Sequence, residues 1–170
     1  DNIYGADILS SNIRRAQIIL SLYALLNDDD ATEPPFNLVC LDSLKADWTK
    51  VFPGVMVAGG FDAVIGNPPY VKFQDMDLET RARLKQRWNT IGGGAFNLYF
   101  AFFELGFNLL NPEGRLGYVC PNNYFTSLAG RSLREFLQER KALARIIDFN
   151  HLTVFEAQTY TCITFLQKSP

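Results

Sequence analysis

A single histidine, His151, is the entire imidazole supply of this 170-residue chain. That argues against a histidine-based zinc site and against a Ser–His nucleophile pair. Cysteine is scarce as well: Cys40, Cys120 and Cys162 are odd in number, isolated, and set in apolar, strand-like contexts. They read as buried free thiols, not as a disulfide framework or a metal site, and no metal is expected. No apolar run reaches the roughly 18 residues of a membrane span, and no basic-then-apolar signal opens the chain. The expectation is a cytoplasmic protein without a membrane partner. Strong net charge is missing too, at −2, so bulk charge does not advertise nucleic-acid binding. The first residue is Asp1, almost inside a strand, which suggests a piece of a longer polypeptide.

What is present is ordinary in bulk and uneven in detail. With 48% hydrophobic and 20% charged residues, the length suits one domain with a real core. Residues 1–71 hold nine acids against four bases. Residues 72–87 carry Lys72, Arg81, Arg83, Lys85 and Arg87 against three acids, and residues 130–145 carry Arg131, Arg134, Arg140, Lys141 and Arg145 against two. A solvated helix face explains each basic run; a surface tilted toward phosphates is the alternative.

The pattern along the chain alternates. Asn2 to Ile8 reads as a strand, and Ser10 and Ser11 as caps of a helix over Asn12 to Leu26, with apolar positions Ile13, Ala16, Ile19, Leu20, Tyr23 and Leu26. Asn37 to Leu41 is a second strand. Leu44 to Gly60 is loop or short helix, and Phe61 to Ile65 is a strand covered on both faces. Such alternation predicts a parallel sheet with right-handed crossovers, whose ligands bind at the strands' carboxyl ends. Asp7, Asp42 and Asn67 each stand just past such an end and are expected on one rim. Further on, Leu78 to Trp88 has helical spacing, Gly92-Gly93-Gly94 reads as a mobile hinge, and Phe96 to Leu110 as a helix buried all round. Arg115 to Cys120 is a strand leading into Pro121-Asn122-Asn123-Tyr124-Phe125. Ser132 with Glu135 forms a capping box, Ala144 to Phe149 is a strand, and Tyr160 to Gln167 is a final antiparallel strand.

The stretch Gly66-Asn67-Pro68-Pro69-Tyr70 carries the chemistry. Gly66 permits a sharp turn, and the prolines fix the backbone and remove two donors. The loop therefore presents carbonyl oxygens, an amide side chain and a flat ring. Rigid acceptors beside a stacking surface suit a planar group that carries an NH2.

Asn67-Pro68-Pro69-Tyr70 after an apolar strand resembles the catalytic motif of S-adenosylmethionine-dependent amino-group methyltransferases. The flanking sequence is most similar to adenine-specific (N6) DNA methyltransferases of restriction–modification systems, particularly the large fused restriction–methylation polypeptides, and the likeness covers essentially the whole chain. It implies an α/β, Rossmann-like, mostly parallel sheet with a C-terminal antiparallel hairpin. It also implies S-adenosylmethionine as cofactor and double-stranded DNA as partner. Asp7 matches the acid that grips the cofactor's ribose hydroxyls, and Ile8 the apolar neighbour packed on its adenine. Asp42, followed by Ser43, matches the acid that accepts from that adenine's amino group. Asn67 serves both the cofactor and the catalytic set. Asn67 and the Pro68 carbonyl would accept the two N–H groups of the target amine, and Tyr70 and Phe155 would sandwich the flipped base. The long polar segment after Tyr70 resembles a loop over the target base.

The family's first strand, with its Gly-rich loop, has no counterpart here. It belongs between the strands ending at Asp7 and Asn67. The resemblance thus implies a partial catalytic domain over residues 1–170, completed by the rest of a parent polypeptide or a complementary subunit. Two other functions fit parts of the sequence. The four-residue motif also serves enzymes that methylate protein glutamine or RNA amino groups, and a fragment without the Gly-rich loop could be a non-catalytic DNA-binding or scaffold piece.

Overall fold

A computed structural model describes residues 2–27, 36–92, 94–149 and 160–168. They form two compact bodies, Asp1–Val51 and Phe52–Pro170.

The first body holds strand β1 (Tyr4–Asp7), helix α1 (Ser10–Asn27), strand β2 (Asn37–Cys40) and the short helix α2 (Trp48–Val51). β1 and β2 pair in parallel, with Asp7 opposite Cys40. The start of α1 differs from the sequence expectation. Ser10 and Ser11 lie inside the helix, and the capping oxygen comes from Asp7, whose Oδ1 accepts from the Leu9 N–H at 2.7 Å. The Asp7 carboxylate takes the N–H of the residue just ahead of the helix, a position that a serine already inside the first turn cannot serve. α1 buries part of its Ile13, Ala16, Leu20 and Ala24 face, while Ile19, Tyr23 and Leu26 are exposed, against expectation. The apolar residues encircle this helix, so spacing alone did not select the covered face.

The second body holds α3 (Pro53–Val57), β3 (Phe61–Gly66), α4 (Leu78–Arg87), α5 (Tyr99–Leu109), β4 (Leu110–Pro121), α6 (Arg131–Glu139), β5 (Leu143–Asp148) and β6 (Thr161–Gln167). Its sheet runs β3-β4-β6-β5. β3 and β4 are parallel; β6 is antiparallel to both its neighbours. The α/β fold with a C-terminal antiparallel hairpin is therefore as expected. One expectation fails: β3 is not covered on both faces, for Ile65 is 85% exposed. β3 stands at the sheet's edge and pairs, among the described residues, on one side only.

α5 is the centre of this body. Phe96, Tyr99, Phe100 and Phe103 are fully buried. Phe103 meets Tyr118 of β4 edge-to-face at 5.3 Å, and Phe107 meets Phe136 of α6 at 5.7 Å. One helix thus packs on the sheet and on a second helix, which is why its sequence is apolar all round. α6 lacks the expected capping box: Gly130 is its N-cap and Glu135 pairs instead with Arg131 at 2.8 Å. Glu135 sits four residues after Arg131 on the same face, where an ion pair forms without bending back to the helix start.

The polar segment after Tyr70 is anchored at both ends. Lys72 bridges to Asn97, and Phe73 packs on Phe96 at 5.1 Å. α4 carries an Asp77 cap that accepts from Thr80 N–H at 2.7 Å. Beyond it, the buried Glu104 of α5 accepts from Asn89 Nδ2 at 2.8 Å and from the Thr90 N–H at 2.9 Å. Gly92, expected in a mobile hinge, packs so closely on α6 that a Cβ would lie 2.5 Å from Ser132 Oγ.

Candidate active site

β3 delivers the motif. Its last residue, Gly66, pairs with Tyr118, and a Cβ there would sit 3.3 Å from the Tyr118 ring. Glycine lets the strand end close against that ring. Asn67 is then exposed, Pro68 buried, Pro69 exposed and Tyr70 half-buried. The burial of Pro68 fixes the turn, so the Asn67 side chain projects from a stiff support.

Asn67 and Tyr70 are brought together. The Tyr70 hydroxyl lies 2.6 Å from Asn67 Oδ1 and 3.4 Å from the Val119 carbonyl. A phenol has one hydrogen, so it serves mainly the nearer oxygen. Burial, and then the nearby Cys120 and Cys162 sulfurs, pushes the Tyr70 pKa up to about 12. The hydroxyl is therefore a donor throughout the neutral range and holds the amide with its oxygen toward the ring. Asn67 Oδ1 keeps a second lone pair. The Pro68 carbonyl accepts no hydrogen bond among the described residues.

The Tyr70 ring rests edge-to-face on Tyr99 at 6.2 Å. From sequence alone Tyr99 reads as one more core aromatic of a buried helix. Its hydroxyl is buried and finds Asn123 Oδ1 at 2.8 Å, with the Pro121 carbonyl at 3.3 Å. A signal existed: one hydroxyl in a phenylalanine-rich buried helix must find a partner. Beneath the loop, Cys120 and Cys162 are a cross-strand pair with sulfurs 3.7 Å apart, each 3.6 Å from Thr164 Oγ1. Both are buried free thiols, as expected, and hydrogen bonding with burial pushes the Cys120 thiol up. Cys40 departs from expectation, being exposed at the end of edge strand β2.

In the first body, Asp7 is the last residue of β1, and Asp42 follows the carboxyl end of the adjacent parallel strand β2. Both act as local caps. Asp7 Oδ2 also accepts from Asn12 Nδ2 at 3.1 Å. Asp42 Oδ1 accepts from Leu44 N–H at 3.1 Å, and its Oδ2 pairs with Lys45 at 3.3 Å. A carboxylate offers about four acceptor sites, so both retain free lone pairs on a half-exposed rim. Ile8 beside Asp7 is 66% exposed and offers a flat apolar contact. Ser43 is half-buried, and its carbonyl accepts from the Trp48 indole at 3.2 Å. Acids for hydroxyl and amino donors, next to an apolar surface, fit an adenosyl group. Asn67 belongs to the other body, and Phe155 lies outside the described residues. Among the described residues, no cluster of metal-ligating side chains occurs and no helix is long and apolar enough to cross a membrane.

Residues 1–155 match the profile of the Eco57I restriction-modification methylase family. A relative from Escherichia coli, the type II restriction enzyme and methyltransferase RM.Eco57I, is 38% identical over 112 residues, which is 64% of this chain and 11% of that protein. Two solved structures share the fold. The methyltransferase subunit of a type I restriction-modification system from Streptococcus thermophilus superposes with a TM-score of 0.70 at 24% identity, over 98% of this chain and 34% of that one. The DrdV–DNA complex gives 0.74 at 12% identity, over 97% of this chain and 20% of that one. The chain thus spans about a third or less of each of these three proteins.

Proposed function

The chain belongs to the Eco57I restriction-modification methylase family, and on that premise we propose that it is a partial catalytic domain of a site-specific DNA adenine-N6 methyltransferase. Residues 1–170 would be completed by the remainder of a parent polypeptide or by a complementary subunit, and the substrate is an adenine flipped out of double-stranded DNA. The observation that carries this is the stiff Asn67–Tyr70 loop: the amide of an exposed Asn67 and a Pro68 carbonyl that accepts no bond among the described residues, beside an aromatic ring, at the carboxyl end of a parallel strand. The presence of DNA in one of the fold neighbours supports the choice of partner.

S-adenosylmethionine, when bound, supplies a methyl group that its sulfonium charge makes electrophilic. Asp7 would hold the ribose hydroxyls through charge-assisted hydrogen bonds, with Ile8 against the adenine and Asp42 and Ser43 at its amino group. Asn67 serves both cofactor and target, and acts at the transfer. An adenine amine is a poor nucleophile because its lone pair is delocalised into the ring. Asn67 Oδ1 and the Pro68 carbonyl each accept one of its N–H groups. That pulls the nitrogen toward a pyramidal shape and frees the lone pair, by electrostatics and orientation. The Tyr70 ring stacks on the extruded base, and Phe155 is the second residue proposed to contact it; such stacking contributes about 1–3 kcal/mol per base.

The test is an acceptor screen with the full-length protein: labelled methyl transfer to DNA, RNA and protein substrates, then digestion of the DNA to nucleosides. N6-methyladenine as the product is expected. Label confined to RNA or protein would move the function to the other amino-group methyltransferases, and no label on any acceptor would favour a non-catalytic DNA-binding or scaffold piece.

A further inference from the structure

The two strands of the parallel pair end alike. β3 runs into Asn67-Pro68-Pro69-Tyr70, and β4 into Asn122-Asn123-Tyr124 after Pro121. Of the two asparagines after β4, Asn122 is committed to structure. Its Nδ2 donates to Asp148 at 3.2 Å and its backbone N–H to the Tyr160 carbonyl at 3.0 Å. Asn123 is exposed, yet its orientation is set from inside the protein. The Tyr99 hydroxyl, on a side chain with no exposure, donates to Asn123 Oδ1 at 2.8 Å. Burial raises the Tyr99 pKa well above the usual tyrosine range, so this hydroxyl remains a donor. With its oxygen taken, the amide turns its NH2 outward, and Nδ2 has no partner among the described residues.

The tyrosines that hold the two amide oxygens touch each other. Tyr70 holds Asn67, Tyr99 holds Asn123, and their rings meet at 6.2 Å. One contact chain therefore links an amide kept as an acceptor to an amide kept as a donor, across the ends of neighbouring strands. The Watson–Crick edge of adenine carries the complementary pair, the N6 amine as donor and N1 as acceptor. Guanine reverses that order, and a glutamine amide has no ring nitrogen to offer. Cytosine presents the same two-atom edge on a smaller ring and is separated from adenine by the product nucleoside in the screen above.

We propose that Asn123 is a specificity-determining residue of the target-base site, its Nδ2 donating to N1 of the flipped adenine, and that Tyr99 is the positioning residue that aims it. This rests on the amino-methylation proposed above. It adds a reader of the base edge to the Asn67 and Pro68 acceptors of the amine.

The experiment measures kcat/KM of the full-length protein on duplexes with adenine, 1-deazaadenine or 7-deazaadenine at the target, for wild type, Asn123→Ala, Asn123→Asp and Tyr99→Phe. The 1-deaza base replaces N1 by C–H. Wild type should lose about tenfold on it, the scale of one hydrogen bond with its partner left unpaired. Asn123→Ala should lose a similar factor on adenine and nothing further on 1-deazaadenine, while the 7-deaza penalty stays independent of the substitution. Asn123→Asp, which keeps the shape but sets an acceptor against N1, should lose at least as much on adenine as Asn123→Ala and no more on 1-deazaadenine. Tyr99→Phe should keep only part of the discrimination against 1-deazaadenine, a readout that a purely structural role would not move. Losses from Asn123→Ala and 1-deazaadenine that multiply, or an Asn123→Ala protein as active as wild type on adenine, would overturn the assignment alone. A wild type that methylates adenine in no duplex would overturn the methyltransferase function and this assignment with it.

Discussion

Tyr70 carries two separable chemistries on one side chain. Its ring offers a stacking face, and its hydroxyl orients Asn67 at 2.6 Å. Tyr70→Phe keeps the ring and removes the orienting bond. Turnover is expected to fall about fivefold, the scale of one modest hydrogen bond, with no change in the fluorescence rise of 2-aminopurine at the target position. Tyr70→Ala removes both, and the fluorescence rise itself should shrink. Equal fluorescence from the two variants would mean that the ring does not stack on the base. At this scale the sequence was legible where chemistry sits in consecutive residues, as in Asn67-Pro68-Pro69-Tyr70. Asn123 stands in a strand-end stretch that the sequence does mark, but its pairing with Tyr99 joins a helix to a distant strand end, a contact that no local pattern encodes. Asp7 and Asp42 stood at the strand ends where they were expected, but their capping bonds to Leu9 and Leu44 depend on backbone geometry.

Among the elements, α5 shows how a buried helix holds a polar segment in place. Glu104 is 4% exposed and spends both oxygens on Asn89 and the Thr90 N–H. Glu104→Ala leaves a buried N–H unsatisfied and should cost about 1–3 kcal/mol. The denaturation midpoint should fall accordingly, with faster amide exchange at Thr90; an unchanged exchange rate there would show that Glu104 does not hold the segment. Asp77→Ala removes the α4 cap and should lower the same midpoint, by less than Glu104→Ala does. The long periodic elements were readable in advance, because α5 is apolar all round and β6 alternates. Faces and caps were not. In α1 apolar residues run round the helix, and at the start of α6 the Ser132 and Glu135 spacing suits a capping box, while Gly130 takes that place and Arg131 claims the glutamate.

Across the whole molecule, the buried tyrosines set the response to pH. Burial raises the pKa values of Tyr70, Tyr99, Tyr118 and Tyr124 above those of the unfolded chain. Their stabilisation is complete below an unfolded tyrosine pKa of about 10 and is lost as pH rises through the folded values. Denaturation midpoints should hold up to about pH 10 and fall beyond it, with the tyrosinate absorbance of these four rings appearing in step with unfolding. A gradual titration of all seven tyrosines at constant midpoint would contradict the burial of these four. The central claim is that Asn67 activates the target amine, and the most direct measurement pairs methyl transfer with cofactor binding in full-length Asn67→Ala. Turnover is expected to fall about a hundredfold or more, as when a preorganised polar group is removed from a transition state, while calorimetry gives an affinity for S-adenosylmethionine that changes far less than turnover. Near-wild-type turnover would contradict the claim.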